Sequence, residues 1–151
     1  MKYYFISRKI FNFTERISSG TKINEQSARM KYKNILQIDD DFDDCEFFQQ
    51  ALEGVSTAAY MALHNPIEAL QKLIDREIKP DLIFLDINMP LMSGLELLAE
   101  IKKRDTIKNI PVIIFSTAPI SDSMIKVLDA KDYVTKPSNF NELKNILRGI
   151  L

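Results

Sequence analysis

The sequence predicts an α/β domain: a doubly wound, five-stranded parallel sheet with helices on both faces. Three observations carry this. From Lys33 onward, apolar runs of three to five residues alternate with stretches of helical period, the rhythm of βα units. The runs are nearly continuous in apolar character rather than alternating, as in strands buried on both faces. The polar residues suited to chemistry stand just after the runs, at the edge where open α/β sheets bind ligands.

The first strand is Ile35-Leu36-Gln37-Ile38, closed by Asp39-Asp40-Asp41. A helix follows with Asp43 as cap and Glu46 three positions on, the spacing of a capping box. The second strand runs from Ala58 to Ala62, and its helix starts at Asn65 with Pro66 in the first turn and Glu68 behind it; proline suits that position because its missing N–H has no partner there anyway. Leu82-Ile83-Phe84-Leu85, set off by Pro80-Asp81, is the third strand, and Ser93 with Glu96 opens a helix striped by Leu97, Leu98 and Ile101. Val112 to Phe115 and Tyr133 to Thr135 are the fourth and fifth strands. A fourth helix lies between them, and a fifth begins at Asn139 with Glu142 and carries Leu143, Ile146 and Leu147. Such apolar stripes pack on a sheet, and right-handed crossovers stack the units into three layers.

Composition narrows the class. A chain of 151 residues with 46% apolar content forms one domain with a real core and leaves no room for a second. The single cysteine, Cys45, excludes an internal disulfide and a CxxC metal site and suits a reducing compartment. No apolar run approaches the roughly 20 residues of a membrane span, and Met1 to Lys9 lacks a signal-peptide core, so a cytoplasmic protein is expected. The net charge of −1 hides an asymmetry. Residues 1–29 hold six basic and two acidic side chains, a net of +4, which leaves −5 for the rest. An acidic domain is a poor surface for nucleic acid, which needs clustered Lys and Arg.

The chemistry centres on Asp86. A carboxylate at the end of a buried strand, followed at once by Asn88, Met89, Pro90 and Gly94, has few structural excuses and reads as a phosphate acceptor. Asp39, Asp40 and Asp41 follow the first strand, Ser116 the fourth and Lys136 the fifth. These motifs, Ile38-Asp39-Asp40-Asp41, Asp86 to Pro90 with Gly94, Pro111 to Ala118, and Tyr133-Val134-Thr135-Lys136-Pro137, together resemble the receiver domain of two-component response regulators, of the stand-alone single-domain type, over residues 33–151. Four motifs in order on successive strand ends are far more specific than any one alone.

The resemblance implies a flavodoxin-like sheet in the order 2-1-3-4-5, which places the first, third, fourth and fifth strand ends around one pocket. Carboxylates about 4 Å apart repel by about 4 kcal/mol per pair at an effective dielectric near 20, and an all-oxygen cluster suits Mg2+. By resemblance Asp40 and Asp86 bind the ion directly, Asp39 acts mainly through water, and Asn88 supplies its backbone carbonyl. Asp86 is then the nucleophile toward a phosphohistidine or acyl phosphate, with Lys136 stabilising the moving charge. Ser116 takes the switch hydroxyl position and Tyr133 the switch aromatic. The family also implies a cis Lys136-Pro137 bond, a signalling face of fourth helix, fifth strand and fifth helix, and a sensor histidine kinase or phosphotransfer protein as donor. Output would pass through a downstream protein partner, with a phosphorylation-dependent homodimer as one form of it.

Blander readings stand beside these. Asp41 and Asp43 read as capping residues; Thr117 could take the role of Ser116 if the strand end shifts by one. Cys45 reads as a buried thiol, His64 as a loop residue, and the methionines as gap fillers. The Asp39 to Asp41 spacing also mimics the DxD of haloacid-dehalogenase-type phosphatases, but that leaves Asp86 with its Pro90 and Gly94 unexplained, and the expected Thr is missing. An unphosphorylated, receiver-like scaffold is the third alternative. Against the family pattern, Thr117 stands where a small residue is usual, Ser138 replaces an aromatic, and Asp129 to Asp132 lacks Gly-Ala and is about two residues short, which predicts an abbreviated fourth helix or exit. Residues 1–32 form a basic extension. Tyr3, Ile6, Ile10, Phe13 and Ile17 fit an amphipathic helix, docked on the domain, on a partner or on a membrane surface; a disordered leader or a mis-assigned start before Met30 is the other reading.

Overall fold

Strands and helices alternate strictly along residues 30–151, the part of the chain that the computed structural model describes. In order they are β1 (Asn34–Ile38), α1 (Phe42–Glu53), β2 (Ala59–Leu63), α2 (Pro66–Ile74), β3 (Leu82–Leu85), α3 (Gly94–Lys102), β4 (Val112–Ser116), α4 (Asp122–Val127), β5 (Asp132–Thr135) and α5 (Phe140–Ile150). The strands form one sheet in the order β2-β1-β3-β4-β5, every neighbouring pair parallel. Each expected strand is present within a residue or so of its bounds. The amphipathic pattern read in residues 1–29 lies outside the described residues.

Alternate side chains of the buried strands feed two separate cores. Leu36, Ile38, Ile83, Leu85, Val112 and Ile114 face α2 and α3, meeting Leu73, Leu97, Leu98 and Ile101. Ile35, Leu82, Phe84, Ile113 and Phe115 face the other way, against Phe48, Ala51 and Leu52 of α1 and Leu143 and Leu147 of α5, with Tyr32 buried in the same layer. Phe48 stands edge-on to both Phe84 and Phe115, with ring centroids 4.8 and 5.3 Å apart, a favourable aromatic geometry. Continuous apolar strands are therefore the residue pattern of a sheet covered on both faces.

The helix starts obey the expected chemistry with one correction. Asn65 and Asn139 each accept two N–H groups of the first turn, and Ser93 with Glu96 makes both bonds of a capping box. At α1, however, the cap is Asp41, not Asp43. Asp41 has extended backbone and its Oδ1 accepts from Asp43 N and Asp44 N at 2.9 and 3.1 Å. Asp43 lies inside the helix as its second residue, and its own N–H is one of the two that Asp41 caps. Glu46 instead accepts from Gln50 at 3.2 Å, one turn on.

The abbreviated fourth helix is present: α4 has six residues and buries none of them. Its exit is a Schellman turn, with Asp129 N–H donating to Lys126 O and Ala130 N–H to Ile125 O, and Asp129 takes a φ of 54° where glycine is usual. The expected cis Lys136-Pro137 bond is not found. That bond is trans, as is every peptide bond among the described residues, and the small energy gap between isomers of an X-Pro bond permits it.

Candidate functional site

Parallel register brings the predicted residues to one edge. Ile38 pairs with Leu85 across β1 and β3, so the next residues, Asp39 and Asp86, leave adjacent strand ends, tied by Asp86 N–H to Ile38 O at 3.0 Å. Ser116 pairs with Thr135, and Lys136 N–H donates to Ser116 O at 3.1 Å. One oxygen from each of Asp39, Asp40 and Asp86 falls within 4.8 Å of the others. Asp39 is fully buried and Asp86 nearly so, at 7%, while Asp40 is half-exposed.

Gly94 is what allows the Asp86 turn to close. A Cβ at that position would overlap the Asp86 carbonyl oxygen and stand 2.8 Å from its carbon and 2.9 Å from Ile87 Cα. Without one, Gly94 N–H reaches Ile87 O at 2.8 Å, and the first turn of α3 presses against the backbone that carries Asp86. Leu91, between them, adopts a φ of 73° in a one-residue turn closed by Met92 N–H to Pro90 O at 2.9 Å. Asn88 lies exposed in the same loop.

Lys136 links the pocket across 97 residues of sequence, donating to Asp39 Oδ2 at 2.7 Å. It donates also to Asp44 Oδ2 at 2.7 Å and lies 3.7 Å from Asp86 Oδ2. Desolvation opposes its charge, but the hydrogen bonds to Asp39 and Asp44 outweigh it and hold the ammonium above its ordinary pKa. Burial pushes the Asp39 carboxyl up, offset in part by Lys136 and the Asp41 N–H and reinforced by the nearby charge of Asp86. Asp86 itself is oriented by its neighbour, since Ile87 N–H donates to Oδ1 at 2.9 Å and leaves Oδ2 on the side of Lys136.

At 4.8 Å and an effective dielectric near 20, each pair of carboxylates repels by about 3.5 kcal/mol, and one ammonium cannot cancel three such charges. The donors are all oxygen, one side chain is open to solvent, and no sulfur or imidazole enters the set; a hard divalent cation fits these residues. Asp41 is no part of it, because its carboxylate is spent on the cap of α1, which removes the second carboxylate of a DxD phosphatase pair.

Ser116 is buried at the end of β4 and its Oγ accepts from Ala118 N–H at 3.3 Å, whereas Thr117 is exposed. Tyr133 donates its hydroxyl to Ala118 O at 2.6 Å, so the hydroxyl and aromatic residues singled out in the sequence meet through one residue, Ala118. Ser138 is exposed.

Two residues of the site were missed. Asp44 drew no role from the sequence, and only the fold brings Lys136 to it. Gln37 is the lone polar residue of the β1 run, a signal that was visible. It is 1% exposed, accepts from Tyr60 OH at 2.8 Å and donates to Asp39 Oδ2 over a long 3.4 Å. Cys45 is buried, and burial together with the charge of Asp39 pushes its thiol up to about 12, which leaves no thiolate for chemistry at neutral pH. His64 is more than a loop residue: its Nδ1 donates to the Asp39 carbonyl at 2.8 Å, and its ring stacks on Phe42 with centroids 3.8 Å apart.

Comparison with known proteins agrees with this geometry. Residues 35–148 match the family described as the response regulator receiver domain. The phosphate regulon transcriptional regulatory protein PhoB of Pseudomonas aeruginosa is 37% identical over 123 residues, covering 79% of this chain and 52% of PhoB. The chain thus spans about half the length of that relative. The response regulator Rcp1 of Synechocystis is 32% identical over 127 residues, 78% of this chain and 86% of Rcp1. Among solved structures, the phosphorylated cyanobacterial phytochrome response regulator RcpA has a TM-score of 0.70 at 34% identity, covering 79% of this chain and 91% of its own. The Mn2+-bound form of Rcp1 has a TM-score of 0.67 at 33% identity, covering 78% and 91%.

Proposed function

The chain belongs to the response regulator receiver family, and on that basis we propose that it is a phosphoacceptor switch of a two-component or phosphorelay system, modified on Asp86. The observation that carries this is the setting of Asp86: nearly buried at a strand end, pinned through Oδ1 by Ile87 N–H, with Oδ2 3.7 Å from Lys136 and two further carboxylates beside it. The Asp86 carboxylate attacks phosphorus while the P–N bond of a phosphohistidine, or the P–O bond of an acyl phosphate, breaks and its electron pair leaves with the donor. Lys136 then faces the developing charge on the phosphoryl oxygens. Asp40 and Asp86 would hold Mg2+ directly, Asp39 through water and Asn88 by its carbonyl. A bound Mg2+ supplies charge neutralisation and a template for those oxygens.

Switching uses the Ser116–Ala118–Tyr133 contact. When the Ser116 hydroxyl turns to donate to a phosphoryl oxygen, it gives up the Ala118 N–H, and Ala118, whose carbonyl Tyr133 holds, is free to repack. The fourth helix, β5 and α5 are the face that this moves, biased by a small gap between two packings. The donor is a sensor histidine kinase or phosphotransfer protein, and output goes to a downstream protein partner or a phosphorylation-dependent homodimer. The protein is cytoplasmic and catalyses only its own phosphoryl transfer and dephosphorylation. Among the described residues no helix is long and apolar enough to cross a membrane.

The test is intact mass after incubation with Mg2+ and acetyl phosphate. The wild type gains one phosphoryl group and Asp86→Asn none. Turnover of phosphomonoesters without an adduct would overturn this in favour of a phosphatase; neither an adduct nor Mg2+-dependent stabilisation would leave a scaffold.

A further inference from the structure

Lys136 faces three carboxylates and hydrogen-bonds only two of them. Its Nζ lies 2.7 Å from Asp39 Oδ2, 2.7 Å from Asp44 Oδ2 and 3.7 Å from Asp86 Oδ2. The three differ in what they can do without it. Asp39 is sealed in the protein, its side chain 1% exposed, whereas the Asp44 side chain is 44% exposed and can be solvated as soon as the ammonium leaves. At 3.7 Å the acceptor Asp86 is beyond hydrogen-bond range. In the unmodified protein, then, the amino group is held toward α1 and away from the carboxylate to be modified.

We propose that Asp44 is a resting-state counter-ion for Lys136, a positioning residue that the ammonium gives up when Asp86 is phosphorylated. The inference rests on the phosphoacceptor reading of Asp86. A phosphoryl group adds charge and acceptor oxygens beside Asp86, Lys136 pairs with them, and the partner released is the one water can replace. Asp44 therefore stabilises the unmodified state relative to the modified one. Its neighbour Asp43 supplies the contrast: it carries the same charge one residue away on the same turn, is exposed, and has no ion pair with Lys136.

Beryllofluoride with Mg2+, which mimics a phosphoryl group on a carboxylate, is the probe. Asp44→Asn should bind it about fivefold more tightly than wild type, the equivalent of ~1 kcal/mol for a partly exposed ion pair. Asp44→Glu should stay close to wild type, and Asp43→Asn should shift affinity less than twofold. A second readout needs no metal. In EDTA, with 13C-labelled lysine, the Lys136 ε-methylene resonance should move and narrow in Asp44→Asn but not in Asp43→Asn. Unchanged or weaker binding by Asp44→Asn, an equal gain from Asp43→Asn, or an unaltered Lys136 resonance would each overturn the assignment. These failures differ from failure of the phosphoacceptor reading, in which the wild type itself neither binds beryllofluoride nor forms an Asp86 adduct.

Discussion

Alanine in place of Gly94 drives a methyl group into the backbone that carries the acceptor. The added Cβ overlaps the Asp86 carbonyl oxygen and lies 2.8 Å from its carbon and 2.9 Å from Ile87 Cα. All three atoms belong to the main chain, so no side chain can swing aside. Reaching ordinary contact at the two carbons requires an opening of about 0.6 Å, and more than twice that at the oxygen. The Gly94 N–H to Ile87 O bond, 2.8 Å long, cannot survive such a shift. Its loss costs about 1 kcal/mol and the overpacking a further ~1–3 kcal/mol, so Gly94→Ala should destabilise by ~2–4 kcal/mol in urea unfolding at unchanged m-value. Gly149→Ala is the internal control. That glycine lies on the exposed side of α5 with nothing within 4 Å of a new Cβ, and the same substitution there should stabilise by up to ~1 kcal/mol. A Gly94→Ala protein within ~0.5 kcal/mol of wild type would refute the close-approach argument.

Two further outcomes follow from particular contacts. Tyr60→Phe strands the buried Gln37 Oε1, whose donor at 2.8 Å is the Tyr60 hydroxyl, at a cost of ~1–3 kcal/mol. Adding Gln37→Leu should recover much of that loss, and additive melts would show that the two side chains do not interact. Asp81 ties the starts of β1 and β3 together: desolvation opposes its charge, but the N–H groups of Lys33 and Asn34 hold its carboxyl below the ordinary 3.8. A carboxylate lowered by folding adds stability above its unfolded pKa and loses it as pH falls through the folded value. Asp81→Ala should therefore cost under ~1 kcal/mol at neutral pH, with the difference from wild type vanishing in melts well below pH 3.8.

Most of the fold was legible because its signals are local. Asn65, Ser93 and Asn139 cap the helices they precede, and Leu82 to Leu85 is buried at every residue, as an apolar run framed by Pro80-Asp81 and Asp86 implies. The start of α1 was misplaced by two residues because the acidic run offers several caps of equal chemistry, and only backbone geometry selects Asp41. In the site, strand-end carboxylates could be read from position alone. The pairing of Asp44 with Lys136 spans 92 residues and depends on the angle at which α1 leaves β1, which no local pattern encodes. Gln37 needed a different question: why the buried stretch of β1 tolerates one amide. Its answer lies in Tyr60 on the neighbouring edge strand.

The short α4 has a thermodynamic consequence. A helix of six residues that buries no side chain, leaves Val127 80% exposed and ends on an aspartate in the left-handed region contributes little to global cooperativity. It can unravel while the sheet and the two cores stay intact, a sub-global opening whose free energy lies far below that of unfolding. Neighbouring β5 is itself only half-buried. A ligand that binds one arrangement of α4 more tightly than another therefore has only a small free-energy difference to overcome on this side of the molecule.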